Sequence, residues 1–179
     1  MPLPTLFLGI AGFAGKTLTI AELEVRKLRH EPIELFSRAV QPALWLVIFG
    51  QVFTRVPGIP TGGLPYISFL TPGILAQSVL FIAIFYGIAI IWERDLGITY
   101  KFLASPTPRE ALVLGKALSA GLRGLVQAVI IYALAALLGV ALSLDPLHLL
   151  GVVAAVLLGA TVFSTFSLII AALVKTREA

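Results

Sequence analysis

Gly9 to Thr17 reads GIAGFAGKT, the stretch of this chain closest to a phosphate-cradling loop. Such a loop places four residues between its first Gly and the Gly-Lys-Thr, so that successive backbone N–H groups close around the phosphates. Counting back from Gly15 puts Ile10 where that Gly belongs; Gly9 is one position too far. No strand pattern precedes the segment, and none ending in a metal-binding Asp follows it. The chain is therefore expected to bind no ATP, magnesium or other cofactor itself. Metal chemistry is equally thin, because there is no cysteine and neither His30 nor His148 has Asp or Glu clustered around it. An enzyme working inside a membrane would need acids or histidines facing one another. None are so placed: Glu93 and Asp95 fall at the edge of an apolar run, and Asp145 in a short turn.

The apolar stretches hold few polar groups. Lys116, Ser119, Arg123 and Gln127 recur at i, i+3, i+7 and i+11, which is one face of a helix. A charge at mid-bilayer costs roughly 3 kcal/mol or more unless it snorkels, pairs or faces water. Arg123 then either helps line a polar path or marks where its helix leaves hydrocarbon for the headgroups. The unbroken apolar run begins only at Gly124, which favours the headgroup position. Gln77, midway along another apolar run, points to an interhelical hydrogen bond ahead of a ligand site.

The elements that must carry these residues follow from composition. Hydrophobic residues make up 59% and charged residues 12%, about half the charge of a soluble globule. The mean hydropathy is +1.02. Four stretches are apolar enough for helices crossing a bilayer: 37–53, 69–92, 119–142 and 146–174. Arg38, at the edge of the short first span, can snorkel and lengthen it. Basic residues fall on one side of these spans. Lys16, Arg26, Lys27, Arg29 and Arg38 precede the first, Arg94, Lys101, Arg109 and Lys116 lie between the second and third, and Lys175 and Arg177 follow the fourth. Only Arg55 lies opposite. This asymmetry places the N-terminus, the middle loop and the C-terminus in the cytoplasm. The +4 net charge is thus read as membrane topology, and no nucleic-acid partner is expected. The expected fold is an all-α membrane protein of the cytoplasmic (inner) membrane, with His30 and His148 on opposite sides.

Residues 1–36 form a separate N-terminal region. Leu3 to Ala14 is short and apolar like a signal-peptide core, but the first Lys is Lys16, behind it rather than ahead. From Lys16 to Leu28, Leu18, Ala21, Val25 and Leu28 recur at helical spacing among charged residues. An amphipathic helix in the membrane interface is expected, the alternative being a helix packed on the bundle. Gly151, Ala155 and Gly159 recur every four residues, and Gly115, Ser119 and Gly121 put small residues on the third span. Such spacing supports close helix packing or dimerisation.

The loop 93–110 carries the richest pattern. Gly97 can loosen the end of the incoming helix, and Leu96, Tyr100 and Leu103 share one face of a short amphipathic helix over Ile98–Leu103. Ser105-Pro106 stops it. Thr107 and Glu110 have capping-box spacing, with Pro108 at the first position of the next helix. This short helix could press on a soluble partner or merely turn the chain.

Glu93-Arg94, Gly97, Leu103, Ser105-Pro106, Arg109 and Gly115-Lys116 follow, in order, the cytoplasmic-loop pattern of the type-2 ABC transporter permeases, which this chain resembles. Gln41-Pro42 with Trp45 to Gly50, and Phe69 to Ile74, are similar to the first two spans of the daunorubicin-resistance branch, drug exporters of that family. The resemblance covers roughly residues 24–140. It implies that the loop helix couples to a separate ATPase subunit, which binds the ATP and magnesium, through Glu93, Arg94, Gly97, Ile98, Tyr100, Leu103, Ser105 and Pro106. It further implies a homodimer, an interfacial helix before the first span, and export of a hydrophobic or amphipathic substrate. Members of the family usually have six spans, so four spans are expected to represent a truncated form or a fragment. The alternative is a small ion-coupled multidrug transporter of four spans, which needs a carboxylate inside a span to carry protons.

Overall fold

A computed structural model describes residues 3–30, 32–54, 56, 60–97, 104 and 108–173. They form five long helices: α1 (Leu3–His30), α2 (Pro32–Phe53), α3 (Tyr66–Asp95), α4 (Arg109–Leu137) and α5 (Pro146–Leu173). Three of them, α3, α4 and α5, are long and apolar enough to cross a membrane. The expected first span lies within α2, a 22-residue helix containing Pro42 that is not among those three.

α3, α4 and α5 pack on one another as the central bundle, α2 lies along α3, and α1 lies along α4. The main core joins Leu75, Val79 and Ala83 of α3 to Ala128 and Ile131 of α4 and Val156 and Ala160 of α5. A second cluster, Leu46, Ile74, Ala135 and Val140, ties in α2 at the other end. Small residues dominate the closest approaches. A Cβ added at Gly87 would stand 2.5 Å from the Ser167 Cβ, and Ser167 Oγ donates to the Ile84 carbonyl at 2.8 Å. Dense packing plus a hydrogen bond is how helices associate where lipid is as apolar as leucine.

The helix ends have definite causes. α4 stops at Leu137, short of the expected 142, because Gly139 takes a left-handed φ of +79°. Val140 N–H then bonds the Ala135 carbonyl at 3.0 Å and Gly139 N–H the Ala136 carbonyl at 3.1 Å. This is a Schellman cap, with Val140 and Ala135 in apolar contact. α5 starts at Pro146 as expected, and Asp145 Oδ1 accepts the Leu147 N–H at 3.0 Å. α4 starts one residue later than its sequence indicates: Pro108 precedes it as N-cap, with no side-chain cap bond. Thr107, the expected capping residue, lies outside the described residues.

α1 is a single helix beginning well before Lys16. Its buried face is Thr17, Ile20 and Ala21, set against α4, where Ile20 and the Thr17 carbonyl lie 2.7 and 3.1 Å from an added Gly115 Cβ. Leu18, expected on the apolar face, is exposed instead. The side chains of Val25 and Leu28 are outside the described residues.

Candidate functional site

α4 is inverted relative to a soluble amphipathic helix. Leu114, Leu118, Leu122 and Val126 are exposed, whereas Lys116, Ser119, Arg123 and Gln127 are between 0% and 8% exposed. The polar face read from the sequence is therefore the inner face. A helix that turns leucines outward and lysine inward is built for hydrocarbon surroundings.

Two antiparallel helices supply the partners. On α3, Tyr86 and Glu93 are seven residues apart; on α4, Lys116 and Arg123 are also seven apart, so both pairs sit on facing stripes. Lys116 Nζ donates to Glu93 Oε2 at 2.6 Å. Arg123 Cζ lies 4.6 Å from the Tyr86 ring centroid and Lys116 Nζ 5.4 Å from it, both within cation–π range. Arg123 is thus buried between helices, against the Tyr86 ring. From α1, Lys27 Nζ reaches the other Glu93 oxygen at 3.4 Å. Glu93 therefore joins α1, α3 and α4 in the last turn of α3. Gly97 ends that helix outright with φ +74°, its N–H bonded to the Arg94 carbonyl at 2.9 Å. Arg94, half-buried, lines a hollow between α3, α4 and α5 with Lys116 and Leu168.

Deeper on the same α4 face, Ser119 Oγ and both amide atoms of Gln127 are buried with no hydrogen-bond partner among the described residues. Gln77 lies elsewhere. It lines a groove between α2 and α3, and the interhelical hydrogen bond expected of it is not made among the described residues. Ile98, Tyr100, Leu103, Ser105 and Pro106 lie outside the described residues. Gly151 and Ala155 are exposed, and a Cβ on Gly151 or Gly159 would meet nothing within 4 Å. Within the chain, the close packing read for that stripe falls instead to Gly87, Gly115, Gly121 and Gly124.

Residues 16–179 match the family described as ABC-2 type transporter. The chain belongs to that family. The ABC-2 family consists of multi-pass membrane transport permeases, which are not enzymes and typically pair with an ATPase subunit. Similar proteins include those named transport permease ycf38 from Cyanophora paradoxa, 32% identical over 45% of this chain, and from Pyropia yezoensis, 28% identical over 60%. The Porphyra purpurea protein of the same name is 31% identical over 43% of the chain. The chain spans only 28%, 38% and 27% of the length of these three relatives, respectively. No solved structure matches it. Lys27 and Tyr86 are the residues of the junction that the sequence reading did not single out, whereas Lys116 was read on the polar stripe without its partner. Only the shared seven-residue spacing could have signalled Tyr86, and nothing local marks Lys27.

Proposed function

We propose that the chain is the membrane subunit of an ATP-driven exporter of the cytoplasmic membrane, moving a hydrophobic or amphipathic substrate. In this reading α2 is a fourth span, both termini are cytoplasmic, residues 1–36 form an N-terminal region lying along the interface, and two copies pair. The ATP and magnesium belong to a separate ATPase subunit, which docks on the loop 93–110 between α3 and α4. The observation that carries the proposal is the Glu93 junction. It stands at the root of that loop and holds α1, α3 and α4 together, through one carboxylate bonded by Lys116 at 2.6 Å and Lys27 at 3.4 Å. A push on the loop would reach three helices at once, the requirement for alternating access driven from outside the membrane.

Charge reversal at Lys101 or insertion of Pro within Ile98–Leu103 tests this. ATP hydrolysis by the assembled transporter should persist while transport per ATP falls at least tenfold; full transport in such variants overturns the coupling role. An ion-coupled transporter is disfavoured, since among the described residues the carboxylate bonded to the buried polar face is Glu93, which stands at a helix end.

A further inference from the structure

The three central helices meet along three seams that are not built alike. Between α3 and α5, a Cβ added at Gly87 would stand 2.9 Å from the Ser164 carbonyl, and Ser167 donates across the gap to the Ile84 carbonyl at 2.8 Å. Between α4 and α5, Cβ atoms added at Gly121 and Gly124 would stand 2.9 Å from Leu157 and 3.2 Å from Val156. The α3–α4 seam is the least extensive of the three, and the glycine approach across it, Gly124 to Val79, is an ordinary 3.4 Å. This seam also carries the polar stripe of α4. Among the described residues the other buried hydroxyls, Thr17, Thr71, Ser78, Ser164 and Ser167, each donate to a backbone carbonyl at between 2.7 and 3.2 Å. Ser119 does not. Lys116 sits against Glu93 and Arg123 against Tyr86, so one further turn along, Gln127 of α4 stands level with Ile82 of α3. Both are buried, and neither amide atom of Gln127 has a hydrogen-bond partner among the described residues. An amide is both donor and acceptor, and keeping it unpaired out of reach of water is costly. The closed seam therefore carries a penalty that hydration of Gln127 relieves. At its loop end the seam borders the hollow of about 300 Å³ lined by Ile90, Arg94 and Lys116, and Ser119 follows one turn beyond Lys116.

We propose that α3 and α4 part along this seam while both stay seated on α5, and that the polar stripe so uncovered takes up water from the hollow as far as Gln127. The proposal deepens the exporter reading, on which it rests, by naming the helix contact that opens. Parting here breaks the least packing of the three seams and is offset in part at Gln127. It also acts between the two helices joined by the loop 93–110, on which that reading seats the ATPase subunit.

The chain has no cysteine, so a single introduced thiol reports on its own position. Ser119→Cys and Ser164→Cys are nearly isosteric changes at residues 1% and 0% exposed, the first on the polar stripe and the second on the α3–α5 seam. The full chain is reconstituted in phosphatidylcholine vesicles, and its reaction with a small water-soluble thiosulfonate is followed by mass. Ser119→Cys should react roughly tenfold faster than Ser164→Cys, and Ile82→Cys should match Ser119→Cys. Adding Gln127→Leu should slow Ile82→Cys roughly tenfold, the weight of the unpaired amide, and leave Ser164→Cys unchanged. Fast reaction at Ser164→Cys as well marks a loosened bundle and overturns the proposal. So does protection of Ser119→Cys and Ile82→Cys alike, or a rate at Ile82→Cys indifferent to Gln127→Leu. Capture of a co-expressed ATPase subunit by the Ser119→Cys chain keeps the two readings apart. Capture with a protected thiol rejects the seam and spares the permease, whereas a reactive thiol without capture does the opposite.

Discussion

Lys116 of α4 donates to Glu93 of α3 at 2.6 Å with its own side chain 3% exposed and that of Glu93 16% exposed. The lysine is almost wholly enclosed, and this carboxylate and the Tyr86 ring are among the groups that hold its charge. Removing one partner of so enclosed a pair weakens what compensates the other charge. Glu93→Gln should therefore destabilise the protein by about 3 kcal/mol, whereas Glu93→Leu combined with Lys116→Met should fall within about 1 kcal/mol of the parent. Thermal unfolding of the four corners of that cycle in detergent measures both values, and additive effects would deny the coupling.

Lys27 contributes differently. It is 43% exposed and 3.4 Å from Glu93, so screening leaves it less than about 1 kcal/mol of stability. Its value lies in joining α1 to the junction. Lys27→Glu should shift the melting temperature little while lowering transport per ATP severalfold in the assembled exporter. A variant that transports normally would assign α1 no part in coupling.

Gly87 of α3, which faces α5, and Gly159 of α5 should respond oppositely. Gly87→Ala puts a methyl 2.5 Å from Ser167 Cβ and 2.9 Å from the Ser164 carbonyl, and backbone cannot step aside cheaply. A loss of about 2 kcal/mol is expected. At Gly159 the added methyl meets nothing, and the gain in helix propensity should stabilise by up to about 1 kcal/mol. If two copies pair through the Gly151, Ala155 and Gly159 stripe, Gly159→Ile should weaken dimerisation in cross-linking while leaving the monomer's melting unchanged.

Gln127 is a buried amide that pays for nothing in the folded chain. Both its polar atoms are without partners among the described residues and it is 0% exposed. Gln127→Leu should raise stability by about 1–3 kcal/mol. A concurrent fall in transport would show that the amide is kept for passage and not for folding; unfolding and vesicle-uptake assays on the same preparation separate the two.

The helices and the polar stripe of α4 were legible because both rest on local periodicity. Four residues at i, i+3, i+7 and i+11 can share a face only if the chain is helical there. What they meet was not legible. Tyr86 and Glu93 arrive from a preceding helix, and pairing them with Arg123 and Lys116 requires the antiparallel register, which the sequence does not state. α5 shows the limit most plainly. Apolar all round, it offers no hydrophobic contrast to say which side faces in, and in lipid contrast is not what decides. Side-chain size decides instead, through Ala160, Ser164, Ser167 and Ala171, so the glycine stripe that stood out in the sequence lies on the other side. Gly97 and Gly139 were visible as residues, but the sharpness of their turns rests on positive φ angles that composition alone does not reveal.

The seat of α1 on α4 bears on how the molecule is made. Ile20 rests against Gly115, so α1 cannot cover its buried face until α4 has been synthesised. Between those moments Thr17, Ile20 and Ala21 must wait in the insertion machinery or on the membrane surface. α1 is thus seated on α4 only once α4 exists, and a ribosome stalled early in α4 would leave Thr17, Ile20 and Ala21 without the surface that buries them.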